Sequence, residues 1–151
     1  MSDIEIRRAS EADLPTIVAL LSDDDLGSSR ETPGDLEPYR KAFESIDADP
    51  SEFLAVAERD GEVIGTLQLS VIPGLSRQGA LRGQIEGVRV SSAARNLGLG
   101  ERLVRWAIDE ARNRGCVLVQ LTSDKQRSDA HRFYVRLGFL ATHEGYKLPL
   151  A

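Results

Sequence analysis

The stretch formed by residues 85–115 constrains the fold more than any other part of the chain. A short apolar run over residues 85–90 is followed by a turn that carries Gly98 and Gly100 and then by residues with helical periodicity. The apolar residues at helical spacing, which predict one buried face, are Leu99, Leu103, Val104, Ala107, Ile108 and Ala111. Gly115 predicts the end of this helix. The pattern therefore predicts a strand, a glycine turn and an amphipathic helix.

A strand, a glycine turn and a helix together form a site suited to an anion. The helix N-terminus presents backbone N–H groups without helical partners and carries a partial positive charge. Glycines allow an anion to approach the backbone closely, and Arg95, Arg102 and Arg105 add positive charge nearby. The expected anion is a phosphate or a pyrophosphate.

Two well-known phosphate-binding patterns fit this turn poorly. A P-loop requires Lys and then Ser or Thr after its last glycine, whereas Gly100 is followed by Glu101 and Arg102. A dinucleotide-binding fingerprint requires a third glycine, at the position that Leu103 occupies. An ordinary strand-to-helix turn with glycines also explains the pattern, so the turn alone leaves its function open.

Size, charge and cysteine content limit the class of protein. A chain of 151 residues with 41% hydrophobic and 28% charged residues indicates one globular domain, residues 1–151. A net charge of −5 argues against nonspecific nucleic-acid binding, and the apolar runs are too short to span a membrane. The first residues lack an apolar signal-peptide core, so we expect a cytoplasmic protein. The two histidines, His131 and His143, stand alone and predict no metal site, and Cys116 is expected to be a buried, unreactive thiol.

The rest of the chain alternates between strand and helix patterns. The predicted strands are residues 4–7, 53–58, 63–72, 85–90, 117–121 (a buried strand parallel to the 85–90 strand) and one or two short strands within 139–150. Four helices are predicted: one begins after Ser10, one covers residues 35–46, one follows the turn that carries Gly98 and Gly100, and one covers residues 128–137. Asp60-Gly61 predicts a hairpin turn, and residues 26–34 and 73–83 are predicted to be loops.

Two motifs in this order resemble one enzyme superfamily. Residues 95–100, Arg-Asn-Leu-Gly-Leu-Gly, are similar to the Arg/Gln-x-x-Gly-x-Gly pattern of the GNAT superfamily of acyl-CoA-dependent N-acetyltransferases. Residues 130–139, from Ala130 through Phe133-Tyr134 to Gly138-Phe139, resemble its A-x-x-F/L-Y-x-x-x-G-F signature. The order of predicted elements is also similar to the GNAT fold from end to end.

The resemblance implies an α/β (α+β) architecture. Its central sheet is mixed and mostly antiparallel, it splays between two parallel strands, and about four helices flank it. Gly87 interrupts an apolar strand, where a glycine often marks a bulge. In the GNAT fold such a bulge leaves backbone groups free to pair with the pantetheine arm of acetyl-CoA.

The resemblance also implies the cosubstrate acetyl-CoA and a set of residues that contact it. These residues are Val88, Arg89, Val90, Arg95, Asn96, Leu97, Gly98, Leu99, Gly100, Glu101, Arg127, Ser128 and Tyr134. Many members have Asn where this chain has Arg127, so this contact must be made differently or by a neighbour, and Arg127 and Ser128 are the candidates.

The predicted catalytic residues are Glu86 and Tyr134. Glu86 lies beside the expected bulge and is the candidate base that takes a proton from the amine, directly or through water. Tyr134 is the candidate acid that protonates the departing thiolate. The resemblance further implies that the Val88 N–H stabilises the developing oxyanion. Simpler roles, a solvent-exposed glutamate and a half-buried aromatic ring, remain open.

The expected acceptor is the primary amine of a small molecule. The chain has a looser resemblance to small-amine acetyltransferases such as the aminoalkylphosphonate enzymes, in which case Arg30, Arg77 and Arg82 are candidates to meet an anionic group of the substrate. Two alternatives stay open: an acyl-CoA-binding sensor without turnover, and an enzyme that acetylates proteins or peptides. A homodimer is the oligomeric state that we predict.

Overall fold

The computed structural model describes residues 3–151, which form two compact units. The first unit extends to Gln120 and contains the sheet, and the second is Leu121–Ala151. Within residues 3–151, none of the helices is both long enough and apolar enough to cross a membrane.

The first unit contains one five-stranded sheet. Its strands are β1 (Glu5–Arg8), β2 (Glu52–Arg59), β3 (Glu62–Pro73), β4 (Leu81–Val90) and β5 (Cys116–Gln120). They lie side by side in chain order, with antiparallel pairing from β1 to β4 and parallel pairing between β4 and β5. The prediction of a mixed, mostly antiparallel sheet is confirmed.

Helices cover both faces of this sheet. The first unit contains α1 (Leu14–Ser22), α2 (Asp25–Arg30), α3 (Glu37–Ala48), α4 (Ser76–Gly79) and α5 (Leu99–Asn113), and the second unit contains α6 (Ser128–Arg136). Helices α1 and α3 bury Ile17 and Phe43 against Val56 of β2. Helix α5 packs on the opposite face, where a Cβ added to Gly83 would lie 3.0 Å from the Cβ of Ala111. About four helices were expected, and the two additional ones are the short α2 and α4.

Several local residue patterns adopt the turns and helix ends that were predicted from them. At the β2–β3 hairpin, Asp60 and Gly61 both have positive φ values, 54° and 77°, as a type I′ turn requires. At the start of the first helical segment, the Ser10 N–H donates to the Asp13 carboxylate at 2.8 Å, which is the predicted capping contact. The helix predicted after a turn with Gly98 and Gly100 is α5. It begins at Leu99, so Gly98 is its N-cap residue and Gly100 already lies in its first turn. Gly115, with φ of +87°, follows its end as predicted.

The bulge expected at Gly87 is present in β4. Thr66 of β3 pairs with Arg89, whereas Gln68, two residues later, pairs with Glu86, so β4 holds one extra residue in this interval. Gly87 has a φ of +63°, a left-handed conformation that glycine adopts without strain. The bulge therefore follows Glu86 and leaves that residue in the regular ladder.

Two segments that were predicted to be loops contain helix or strand. Residues 26–34 contain most of α2, because the Asp24 side chain caps that helix and accepts a hydrogen bond from the Gly27 N–H at 2.5 Å. Residues 73–83 contain the start of β4, since Leu81 pairs with Pro73. Polar residues in this part of β4 lie on a half-exposed sheet face, and so their polarity suggested a loop.

Two predictions near the C-terminus are wrong. Strand β5 was expected to be buried, yet no residue of it is, and Val117 is 65% exposed. Residues 139–151 contain none of the predicted final strands. Alternating apolar residues favour an extended chain, but a strand exists only where its backbone pairs with a neighbour, and residues 139–151 have no such pairing in the structure.

Candidate active site

A pocket of about 210 Å³ lies between helix α1 and the sheet, beside the bulge. Its walls are mostly apolar on the side of α1 and β2 and polar on the side of β3 and β4. The lining residues are Ile17, Leu21, Leu54, Thr66, Leu67, Gln68, Glu86 and Gly87. Glu86 is the only ionisable residue among them. The pocket therefore joins an apolar wall to a single carboxylate.

The backbone of β4 explains why Glu86 reaches this pocket. Gln84, Ile85 and Glu86 pair in regular order with β3, and so Gln84 and Glu86 project from the same face while Ile85 is buried. The Gln84 side-chain amide donates to Glu86 Oε1 at 2.6 Å. Glu86 is solvent-exposed, so its charge is available to a ligand in the pocket.

Strand β4 has an edge with no partner strand in the first unit. The parallel ladder between β4 and β5 ends at Gln84 and Gln120, and for residues 85–90 no pairing with β5 is present among the described residues. The Val88 carbonyl accepts from Arg89 Nη1 at 2.9 Å, and the other backbone groups on this edge can pair with an extended ligand, as with an added strand. Val88, Arg89 and Val90 lie along this edge, where the prediction places the pantetheine arm.

The glycine turn leads from β4 into helix α5. Asn96 and Gly98 both have φ values of +71°, and Gly98 is the N-cap residue of α5. In this helix the Arg102 N–H bonds to the Gly98 carbonyl, so the N–H groups of Leu99, Gly100 and Glu101 precede the first helical hydrogen bond. These three N–H groups are oriented out of the helix N-terminus and suit an anion.

The arginines near this turn differ in whether their side chains already have hydrogen-bond or ion-pair partners. Arg105 pairs with Glu101 at 3.2 Å, and Arg102 donates to the backbone carbonyl of Ile4. The Arg95 N–H donates to the Ser92 carbonyl, but its side chain is exposed and has no hydrogen bond or ion pair among the described residues. Leu97, at the tip of the turn, is 49% exposed. Among these arginines, Arg95 is the one available to an incoming phosphate.

Tyr134 lies on α6 in the second unit. Its ring packs edge-on against Phe139 and Phe133, with centroid distances of 5.7 Å and 5.1 Å. Arg136 lies over the Phe133 ring. These contacts hold the half-buried tyrosine ring in place, and its role as an acid stays a prediction.

Arg127 and Ser128 lie where α6 begins. Arg127 occupies the N-cap position and Ser128 is the first residue of the helix. The Asp124 carbonyl accepts from the Arg127 N–H at 2.9 Å and lies 2.8 Å from His131 Nε2. These contacts shape the loop before α6, and the predicted cofactor contacts of the two residues stay predictions.

Cys116 lies at the start of β5, and its thiol is half-buried. Burial raises the pKa of this thiol above its ordinary value of 9.0, against a smaller opposite effect of Arg114. The reactive thiolate is therefore scarce at neutral pH, although the thiol is less buried than expected.

Sequence reasoning missed the glutamines around Glu86. Gln84 directly followed the predicted loop of residues 73–83, and Gln120 was treated as part of an apolar strand. Polar residues at 82, 84 and 86, alternating with small or apolar ones, were the available signal for a strand with one polar face. Gln120 carried no such signal, because only the β4–β5 register brings it beside Gln84.

Comparisons with known proteins agree with this geometry. Residues 15–139 match the family model described as the acetyltransferase (GNAT) family. An aminoalkylphosphonate N-acetyltransferase of Salmonella typhimurium is 31% identical over 139 residues, which cover 92% of this chain and 86% of the relative.

Solved structures are also similar. A crystal structure from Bacillus halodurans, described as a transcriptional regulator, is 48% identical with a TM-score of 0.94, covering 98% of this chain and all (100%) of that one. An aminoglycoside N-acetyltransferase in complex with CoA has a TM-score of 0.82 and covers 99% of this chain and 95% of that one, and at 18% identity this likeness concerns the fold alone. The match of the family model, together with the relative from Salmonella, shows that the chain belongs to the GNAT family of acetyltransferases, which are acyltransferase enzymes.

Proposed function

We propose that the protein transfers an acetyl group from acetyl-CoA to the primary amine of a small molecule, by direct attack within a ternary complex. The observation that carries this proposal is the position of Glu86. It lines a pocket at the bulge of β4, on the strand whose free edge and following glycine turn suit the cosubstrate.

The residues present suit acetyl-CoA at three places. The unpaired edge of β4 suits the pantetheine amides, the N–H groups of Leu99, Gly100 and Glu101 suit the pyrophosphate, and Arg95 adds positive charge. Acetyl-CoA, when bound, supplies the acetyl group as a reactive thioester.

The proposed chemistry follows from the protonation state of amines. An alkylamine is mostly protonated at neutral pH and so has no lone pair for attack. In the proposal, Glu86 accepts a proton from the ammonium group, and the Val88 N–H donates to the acyl oxygen as negative charge develops on it. Tyr134 donates its phenolic proton to the departing sulfur.

The pocket favours a small acceptor. Its volume of about 210 Å³ is below the roughly 300–1,000 Å³ that is usual for ligand pockets. The side chains of Ile17, Leu21 and Leu54 form an apolar wall for the carbon skeleton, and the Glu86 carboxylate attracts the ammonium group. The relative named as an aminoalkylphosphonate N-acetyltransferase supports a small amine as the acceptor class.

A screen of primary amines that measures the release of CoA thiol tests the activity, and Glu86→Gln tests the base. Glu86→Gln preserves the shape of the side chain and removes its basicity. We expect kcat/KM to fall at neutral pH and the loss to shrink as pH rises, because free amine becomes abundant. Glu44→Gln, an exposed glutamate on α3, is the matched control and should leave the profile unchanged.

Two other outcomes would contradict the role of Glu86 as the base. Profiles of equal height for wild type and Glu86→Gln would mean that Glu86 is not the base. A uniform loss at every pH would indicate that Glu86 attracts or orients the cationic amine without acting as its base.

A second candidate is an acyl-CoA-binding regulatory domain without turnover. The similar structure from Bacillus halodurans, described as a transcriptional regulator, favours it. Isothermal titration with acetyl-CoA, run beside the amine screen, separates the two candidates. Binding without turnover of any amine would favour the regulatory domain, and turnover would favour the enzyme.

Location, domain organisation and oligomeric state remain predictions. We propose that residues 1–151 work as one domain in the cytoplasm and that the protein forms a homodimer. A single cooperative urea transition, cell fractionation and light scattering in solution test these three statements in turn.

A further inference from the structure

Three polar side chains form a hydrogen-bonded line that ends on the Glu86 carboxylate. Gln120 of β5 lies directly beside Gln84 of β4 in the parallel register. Gln120 Nε2 donates to Gln84 Oε1 at 3.0 Å, and Gln84 Nε2 donates to Glu86 Oε1 at 2.6 Å. All three residues project from the sheet face that carries the pocket. We call this line the Gln120–Gln84–Glu86 relay.

The ionised carboxylate sets the direction of the relay. A carboxylate only accepts hydrogen bonds, so the amino group of Gln84 must face Glu86. The carbonyl oxygen of Gln84 then faces Gln120, whose amino group donates to it. Rotating the Gln84 amide by half a turn would place its oxygen against the negative charge of Glu86. Each glutamine therefore holds the next side chain in one orientation.

The neighbouring polar residues do not replace this contact. Gln68 lies opposite Glu86 on β3, but its amino group donates to Glu52 Oε1 at 2.7 Å. Ser70 donates to the same oxygen of Glu52, also at 2.7 Å. Among the described residues, Gln84 is thus the side chain that holds Glu86, and Glu86 Oε2 has no partner there.

We propose that Gln84 and Gln120 are positioning residues for the reaction, which hold Glu86 Oε1 so that Oε2 is presented to the acceptor amine. This inference rests on the proposed function. An exposed glutamate samples several rotamers, and a base must lie within hydrogen-bond reach of the proton that it takes. Restricting Glu86 to one orientation raises the fraction of molecules in which the base is correctly placed.

Methionine substitutions test the relay, because Met has nearly the length of Gln and no amide. Gln84→Met and Gln120→Met should each lower kcat/KM on the order of three- to tenfold at neutral pH, the effect of losing one ordinary hydrogen bond. Acetyl-CoA affinity should stay unchanged, and the loss should shrink as pH rises. Gln126→Met, at an exposed site outside the relay, is the control and should leave kcat/KM unchanged.

The double variants show whether the glutamines act through Glu86. In a Glu86→Gln background, adding Gln84→Met or Gln120→Met should cause no further loss, since the base that they position is already absent. Additive losses would overturn the proposal, because they would mean that the glutamines act independently of Glu86.

Gln120→Glu tests the direction of the relay. The new carboxylate keeps the shape of Gln120 but cannot donate to Gln84, and it attracts the Gln84 amino group away from Glu86. We expect a loss at least as large as that of Gln120→Met. Wild-type kcat/KM in Gln120→Glu would overturn the relay.

A measurement without substrate separates this proposal from the proposed function. The side-chain amide resonance of Gln84, observed by NMR, should shift in both Gln120→Met and Glu86→Ala and stay in place in Gln126→Met. An unmoved resonance in the first two variants would overturn the relay whatever the activity. Failure of every amine to react, with the resonance shifting as expected, would instead contradict the proposed function and the positioning role that rests on it.

Discussion

The ion pair between Arg7 and Asp13 should be the polar contact that most stabilises the start of helix α1, the helix that forms one wall of the pocket. Arg7 donates to both carboxylate oxygens of Asp13, at 2.8 Å and 3.1 Å, and the Ser10 N–H donates to one of them at 2.8 Å. The Asp13 side chain is only 10% exposed, whereas that of Arg7 is 31% exposed. Asp13→Asn keeps the size of the side chain but replaces one acceptor oxygen with a donor that faces Arg7.

The expected loss of stability follows from these contacts. A hydrogen bond to a charged group contributes about 1.5–3 kcal/mol, and partial exposure of Arg7 to solvent reduces the value. We therefore expect the free energy of unfolding to fall by about 1.5 kcal/mol at pH 7, which corresponds to a decrease in Tm of about 3–6 °C for a domain of this size. Urea unfolding followed by circular dichroism measures this loss, with Asp47→Asn at an exposed site of α3 as the control.

The effect of pH distinguishes a charge contribution from a packing contribution. The hydrogen bond from Arg7 holds the pKa of the Asp13 carboxyl below its ordinary value of 3.8, and the bonds from Ser10 act in the same direction. A carboxyl whose pKa is lowered by folding stabilises the protein fully above its unfolded pKa and loses that contribution as pH falls through the folded pKa. The stability difference between wild type and Asp13→Asn should thus be constant from pH 7 to about pH 5 and narrow below about pH 4. A difference of the same size at pH 3, or one below about 0.5 kcal/mol at pH 7, would refute this reasoning.

Two further predictions concern the proposed ligand sites. Gly100→Val places a branched side chain in the first turn of α5, where the backbone is expected to approach the pyrophosphate, and so acetyl-CoA affinity measured by titration should fall while the circular dichroism spectrum is retained; unchanged affinity in the folded variant would rule out this turn as the pyrophosphate site. Tyr134→Phe keeps the aromatic contacts with Phe133 and Phe139 and removes only the hydroxyl, so kcat should fall by roughly 100- to 10,000-fold with acetyl-CoA affinity nearly unchanged. If single-turnover kinetics show a full rate of acetyl transfer in Tyr134→Phe, the tyrosine is not an essential acid.

Features that depend on neighbouring residues were predictable from the sequence. The turn at Asp60-Gly61, the end of α5 before Gly115 and the bulge at Gly87 all formed where the pattern placed them. Each depends on a local property: a positive φ that glycine or aspartate tolerates, or the spacing of apolar side chains along one helix. The helix α2 was missed because a single capping residue, Asp24, offsets a composition that disfavours helix.

Features that depend on pairing between distant segments could not be predicted from the sequence. A bulge next to Glu86 left open which face of the sheet this residue occupies, and the ladder with β3 settles the question, since the extra residue comes after Glu86. The prediction of final strands within residues 139–150 was wrong for the same reason. Alternation of apolar residues indicates an extended chain, but it does not indicate the strand with which that chain pairs.

The sequence by itself determined the family, the anion-suited turn and Glu86 as the candidate base, because short motifs and local spacing are sufficient to recognise them. Only the tertiary structure decided what surrounds that carboxylate. The parallel register places Gln120, which lies 36 residues away in the chain, beside Gln84, and the packing of α1 on the sheet brings Leu21 to within 3.6 Å of the position of a Cβ at Gly87. Contacts between residues so far apart depend on strand register and helix packing, which no local pattern of residue types encodes.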